Sequence, residues 1–107
     1  MTIQVMDAVW VLPDGTRCRP GRAGLEDVPA LVRLLTDDPL GSTREGGDMG
    51  AYERAFQEID ADPHQFLTAV RNDAGDVVGT MQLTVIPGLS RGGARRLQIE
   101  SVRVSSS

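Results

Sequence analysis

A chain of 107 residues with 40% apolar side chains and only 4% aromatic ones can bury one modest core, so it reads as a single globular unit. Its formal net charge of −4 argues against general attraction to nucleic acid or to a membrane surface, because phosphate binding needs positive charge that outweighs the rest. A single cysteine, Cys18, excludes an internal disulfide framework and a multi-cysteine zinc site, and fits a reducing, cytoplasmic setting.

The N-terminal run MTIQVMDAVWVL has no basic flank and contains Asp7, so neither a signal peptide nor a membrane span is expected in it. Val5 to Leu12 is strand-like, and Pro13-Asp14-Gly15 supplies a tight turn that returns the chain as a hairpin through Thr16 to Arg22. Within that hairpin Trp10 and Cys18 read as packing residues. A reactive thiol is the alternative for Cys18, but no histidine or metal-ligand partner stands near it in sequence.

At Leu25 the period changes. Val28, Leu31, Val32 and Leu35 share one face of a helix, Glu26 and Asp27 suit its positive end, and Pro29 is tolerated because it falls in the first turn. The glycine-rich stretch from Leu40 to Gly50 reads as a loop. A second helix is predicted to start with Asp48 as its N-cap, to carry Met49, Tyr52, Phe56 and Ile59 on one stripe, and to stop before Pro63. Tyr52 has two readings, a ring in the core or a hydroxyl reaching a cleft.

The remainder reads as a β-meander. Phe66, Thr68 and Val70 alternate, Asn72-Asp73-Ala74-Gly75 turns the chain, and Val77 to Val85 runs straight until Pro87-Gly88 breaks it. The last stretch, LQIESVRV from Leu97 to Val104, has the period of two that a strand with unlike faces requires. Glu100 in its middle is costly among apolar neighbours unless it lies at an edge or in a cleft. His64 suits a capping position at a helix-to-strand junction. Arg91, Arg95 and Arg96 form a basic cluster that either solvates a loop or contacts an anion. Asp60, Asp62 and His64 are too sparse for a metal site, and none is expected. Helices followed by sequential strands predict an α/β chain of the α+β type, with an antiparallel sheet covered on one side by helices.

Three stretches resemble the GNAT superfamily of acetyl-CoA-dependent N-acetyltransferases. CRPGRAGLEDVPALVRLL is similar to its first strand and first helix, DVVGTMQLTVIPGLSRGGARR to its central strand pair, and LQIESVRV to its fourth strand. The order of elements agrees from Thr16 to Val104. The resemblance implies a mixed, mostly antiparallel sheet with two N-terminal helices, truncated after the fourth strand. Residues 1–15 then form an N-terminal strand and turn, and 16–107 form the first strand, two helices and a three-strand meander of one partial domain. The family's pyrophosphate loop, Arg/Gln-x-x-Gly-x-Gly, does not occur in the sequence, so acetyl-CoA is expected to bind this chain weakly and turnover to be slight.

The same resemblance implies an enzyme that moves an acetyl group from acetyl-CoA to an amine of a small molecule or peptide. Backbone groups near Val102, Arg103 and Val104 would receive the pantetheine arm as an added strand, often at a bulge. Glu100 would act as general base, would recognise the substrate amine, or would serve as a structural hydrogen-bond partner. Arg44, in the loop that shapes the family's acceptor pocket, and Tyr52 would contact the substrate. The alternatives are a non-catalytic binding module and a homo-oligomer assembled through the edge of that strand.

Overall fold

Short turns and one helical excursion are all the sequence provides between its strands, and the sheet follows suit. β1 (Trp10–Val11), β2 (Arg17–Arg22), β3 (Gln65–Asn72), β4 (Val77–Pro87) and β5 (Arg95–Val104) lie side by side in chain order, and each adjacent pair is antiparallel. This is the architecture of a computed structural model, which describes residues 9–11, 14–36 and 48–105. The N-terminal part of the expected first strand and the glycine-rich loop up to Gly47, Arg44 included, lie outside the described residues.

The turns work by the chemistry read from the sequence. Asp14 Oδ1 accepts the Thr16 N–H at 2.9 Å beside Gly15 at φ +88. Asn72 Oδ1 accepts the Asp76 N–H at 2.9 Å, with Gly75 also at φ +88, a backbone region that glycine enters without steric penalty. Pro20 is tolerated inside β2 because, among the described residues, β1 pairs with Arg17 and Cys18 and no strand lies on the outer side of Pro20.

Between β2 and β3 a 3-10 turn (Leu25–Asp27) leads directly into α1 (Val28–Thr36), and α2 (Met49–Ala61) follows. Asp48 caps α2 as expected, its side chain accepting the Gly50 N–H at 3.0 Å. Val28, Leu31, Val32 and Leu34 of α1 and Phe56 of α2 are buried against Ala23 and Ala69, with Tyr52, Leu67 and Val77 packed around them. Leu34 replaces the expected Leu35 in the fully buried set, and Leu35 is half-buried. Both helices thus cover the face that carries Leu67 and Ala69. The opposite face of β3 is buried as well, through Phe66, Thr68 and Val70, which explains why FLTAV is nearly continuous rather than half polar. Phe66 lies under the guanidinium of Arg22, 4.4 Å from the ring centroid.

Asp27 is a structural residue that period and charge did not reveal. It is 5% exposed, accepts the Gly24 N–H at 2.8 Å and pairs with Arg71 of β3 at 2.6 Å, tying the entry of α1 to the sheet. Burial alone would raise this carboxyl, but the Arg71 guanidinium and the Gly24 N–H outweigh it and hold the group below its ordinary value.

A bulged edge strand as the candidate functional site

β5 is the terminal strand of the sheet, so one side of its backbone has no neighbouring strand among the described residues. Its register with β4 fixes which way each side chain points. Gln98 faces Thr84 and Glu100 faces Gln82, on the helix-covered side; Leu97 faces Val85 and Ile99 faces Leu83, on the other. The register then slips. Glu100 is opposite Gln82 whereas Arg103 is opposite Thr80, so Ser101 and Val102 together stand against Met81 alone. That is a β-bulge on β5, and Ser101 absorbs it with a left-handed φ of +54.

Beyond the bulge the strand is still held. The Ser105 N–H donates to the Val78 carbonyl at 2.7 Å, so by the alternation of an antiparallel ladder Arg103 also turns its backbone to β4, and Val104 turns its N–H and C=O to the open edge. The Val102 carbonyl accepts Arg103 Nη1 at 2.8 Å.

Hollows flank the bulge on both faces. On the helix side a cavity of about 120 Å³ lies between α1, α2 and the sheet, walled by apolar residues such as Leu31, Phe56 and Ile59 and by Tyr52, and floored by Thr80, Gln82 and Ser101. On the opposite face a groove of about 380 Å³ runs past Trp10, Cys18, Val70 and Met81 to Val102 and Val104. Cys18 is 2% exposed, as its packing role requires, whereas Trp10 is 41% exposed along this groove.

Of the two settings open to Glu100, the structure gives the edge. It is exposed, and its Oε1 lies 3.4 Å from Thr84 Oγ1, a contact at the long limit of a hydrogen bond. The same hydroxyl has a shorter partner, Gln65 Oε1 at 2.9 Å, which also accepts Gln82 Nε2 at 2.9 Å. A hydroxyl has one proton, so the closer acceptor takes it and the Glu100 carboxylate keeps its lone pairs available. Gln65, Gln82 and Thr84 form a polar cluster around Glu100 that the sequence reading missed. The signal was present in β4, where Thr80, Gln82 and Thr84 recur at a period of two within an otherwise apolar strand.

Tyr52 and the bulge are therefore brought to one cavity, while Glu100 stands just outside its lining. Val102, Arg103 and Val104 border the opposite groove. His64 sits at the α2–β3 junction, its backbone N–H donating to Asp62 Oδ1 at 2.9 Å. Among the described residues, no group of three or more His, Cys, Asp or Glu side chains is arranged to hold a metal ion, and no helix is long and apolar enough to cross a membrane.

No protein-family model matches the sequence, and a search of curated proteins finds no relative. Solved structures do match. A transcriptional regulator from Bacillus halodurans C-125 is 35% identical with a TM-score of 0.76, over 83% of this chain and 61% of that one. A protein described as an acetyltransferase from Agrobacterium tumefaciens strain C58 gives 23% identity and a TM-score of 0.71, over 81% and 58% of the two chains. Glucosamine-6-phosphate N-acetyltransferase from Arabidopsis thaliana gives 18% and 0.67, over 83% and 60%. The chain thus spans about three fifths of the length of each of these proteins.

Proposed function

We propose that this chain, which carries a partial GNAT-like fold, serves the transfer of an acetyl group from acetyl-CoA to an amine of a small molecule or peptide in the cytoplasm. The observation that carries this reading is the bulge at Ser101–Val102 on an edge strand. An extended amide-bearing arm laid beside β5 finds the N–H and C=O of Val104 facing it, so the pantetheine of acetyl-CoA docks as a sixth strand along Val102, Arg103 and Val104. A backbone N–H near the bulge then lies close to the thioester carbonyl, where it stabilises negative charge on oxygen during attack.

Glu100 is assigned as the general base. An amine that is protonated near neutral pH must lose a proton before it attacks, and Glu100 offers a carboxylate whose only described side-chain partner is a long contact to Thr84. Tyr52 and Arg44 are assigned to the acceptor. The reading treats the 107 residues as one partial domain. The sequence holds no Arg/Gln-x-x-Gly-x-Gly run, and each missing charge-assisted hydrogen bond to the pyrophosphate is worth about 1.5–3 kcal/mol, so acetyl-CoA binding to this chain is weak.

Titration with acetyl-CoA, followed through backbone amide shifts, tests the docking. The expected result is a set of shifts centred on Val102, Arg103 and Val104. Shifts that spare this segment while the ligand binds elsewhere overturn it. In any form of the protein that turns over, Glu100→Gln should lower the rate about 10²–10⁴-fold and remove the rise of rate with pH on the acidic side. An unchanged profile rejects the base role. A second reading, pairing of β5 with another copy, is favoured by the exposure of Leu97, Ile99, Val102 and Val104 along this edge.

A further inference from the structure

One stretch of this acidic chain carries positive charge alone. Between Asp76 and Glu100 the sequence contains no acidic residue, and its only charges are Arg91, Arg95 and Arg96. The structure gathers all three around one cleft of about 420 Å³ at the turn between β4 and β5, lined also by Ile86, Pro87 and Ser90. All three are exposed, and among the described residues none is engaged in an ion pair or a side-chain hydrogen bond.

The turn that carries them is closed. The Gly93 and Ala94 N–H groups donate to the Leu89 and Ser90 carbonyls at 3.1 and 3.2 Å. A Cβ on Gly88 would come within 3.2 Å of the Ala94 carbonyl, so the two arms approach as nearly as glycine permits. Arg91 occupies this turn at φ +55, a conformation that costs a side-chain-bearing residue energy and that glycine would adopt freely. Like charges are thus held on a fixed turn, one of them at a strained position, with no ion-paired counter-charge among the described residues.

We propose that this cleft binds a small-molecule anion, a phosphate or carboxylate group, with Arg96 supplying the guanidinium on the helix-covered side and Arg91 and Arg95 the surrounding positive charge. Guanidinium forks match either group with paired N–H donors. Three cations on an otherwise acidic chain are too few and too local for a nucleic-acid track, which selects a compact anion. Arg96 pairs with Ile86 and therefore lies on the helix-covered side of β5, the side of Glu100, about 13 Å away along the strand. On the acetyl-transfer reading, and resting on it, the anion is the far end of the acceptor whose amine meets Glu100.

The test uses the 107-residue chain, with inorganic phosphate and citrate titrated separately at low ionic strength and no acetyl-CoA present. The expected result is saturable amide shifts confined to residues 88–96, weakened about tenfold or more in Arg95→Gln/Arg96→Gln and reduced by added salt. Tighter phosphate binding assigns a phosphoryl ligand, and tighter citrate binding assigns a carboxylate. Arg91→Gly weakens binding without lowering the melting temperature, which separates lost charge from lost fold, and Arg54→Gln on α2 leaves binding unchanged. No saturation by about 10 mM of either anion overturns the proposal, as does equal weakening by Arg54→Gln. Since the titration contains no acetyl-CoA, its failure leaves the acetyl-transfer reading standing, and failure of that reading leaves the anion site standing.

Discussion

Asp27 shows how one side chain sets a dependence of stability on pH. Its folded value is depressed, so over the acidic range the unfolded chain binds more protons than the folded one, and stability rises with pH through that window. The contribution is complete above the ordinary carboxylate range and is lost as pH falls below about 4 toward the folded value. Asp27→Asn keeps the shape, gives up the charge and leaves Arg71 without its partner. The expected cost is about 1–3 kcal/mol at neutral pH, toward the lower end because Arg71 is partly exposed and screened. Urea midpoints from pH 7 to pH 2 check this: the wild-type midpoint falls steeply at the acidic end and the variant's falls less. Parallel curves would show that the pair does not couple folding to protons. Asp27 was legible in the sequence only as a residue favouring a helix start. Its partner Arg71 is separated from it by a whole helical excursion, and no local period reports such a contact.

At the scale of elements the sequence was most informative where one face of an element differs from the other. The stripe Tyr52-Phe56-Ile59 and the Asp48 cap placed α2, because burial along one stripe leaves a period of 3.6; the alternation in Phe66, Thr68 and Val70 placed β3 without marking its second buried face. The bulge left none. Ser101 adopts φ +54 because the ladder on either side of it is fixed, and serine is not a residue whose letter announces that conformation. Ser101→Gly should therefore stabilise the fold by about 0.5–1 kcal/mol, and Ser101→Val, β-branched at a left-handed position, should destabilise it by about 1–2 kcal/mol. Denaturant midpoints read the sign. Exchange of the Ser105 amide, bonded to the Val78 carbonyl, reads whether the strand beyond the bulge stays on β4. Faster exchange in Ser101→Val with unchanged exchange in the β3–β4 ladder is expected; equal loss throughout would mean that the bulge is not a local device. The polar cluster of Gln65, Gln82 and Thr84 was half legible, since its β4 members alternate but Gln65 enters only through the pairing of β3 with β4.

At the scale of the whole molecule, the two roles proposed for β5 meet at one edge. Leu97, Ile99, Val102 and Val104 of β5 are 54%, 57%, 51% and 71% exposed, and the open backbone groups beside them are the ones assigned to the pantetheine arm. Two copies joined antiparallel through β5 form an isologous, closed pair that uses those same groups. Acetyl-CoA and a second copy then exclude each other, and linkage makes the exclusion reciprocal: whatever binds only the single chain dissociates the pair. Sedimentation velocity across a dilution series should show mass rising with concentration. Acetyl-CoA at ten times its dissociation constant should weaken the association about a hundredfold, because each of two copies must release its ligand to pair. Val104→Lys, which places a charge on the contact, should hold the chain single at all concentrations without moving the melting temperature, as an exposed side chain permits. Mass that rises with concentration and ignores bound acetyl-CoA would separate the two sites, and the docking of the cofactor along β5 would have to give way, since the backbone of Val104 cannot face a strand and a pantetheine at once.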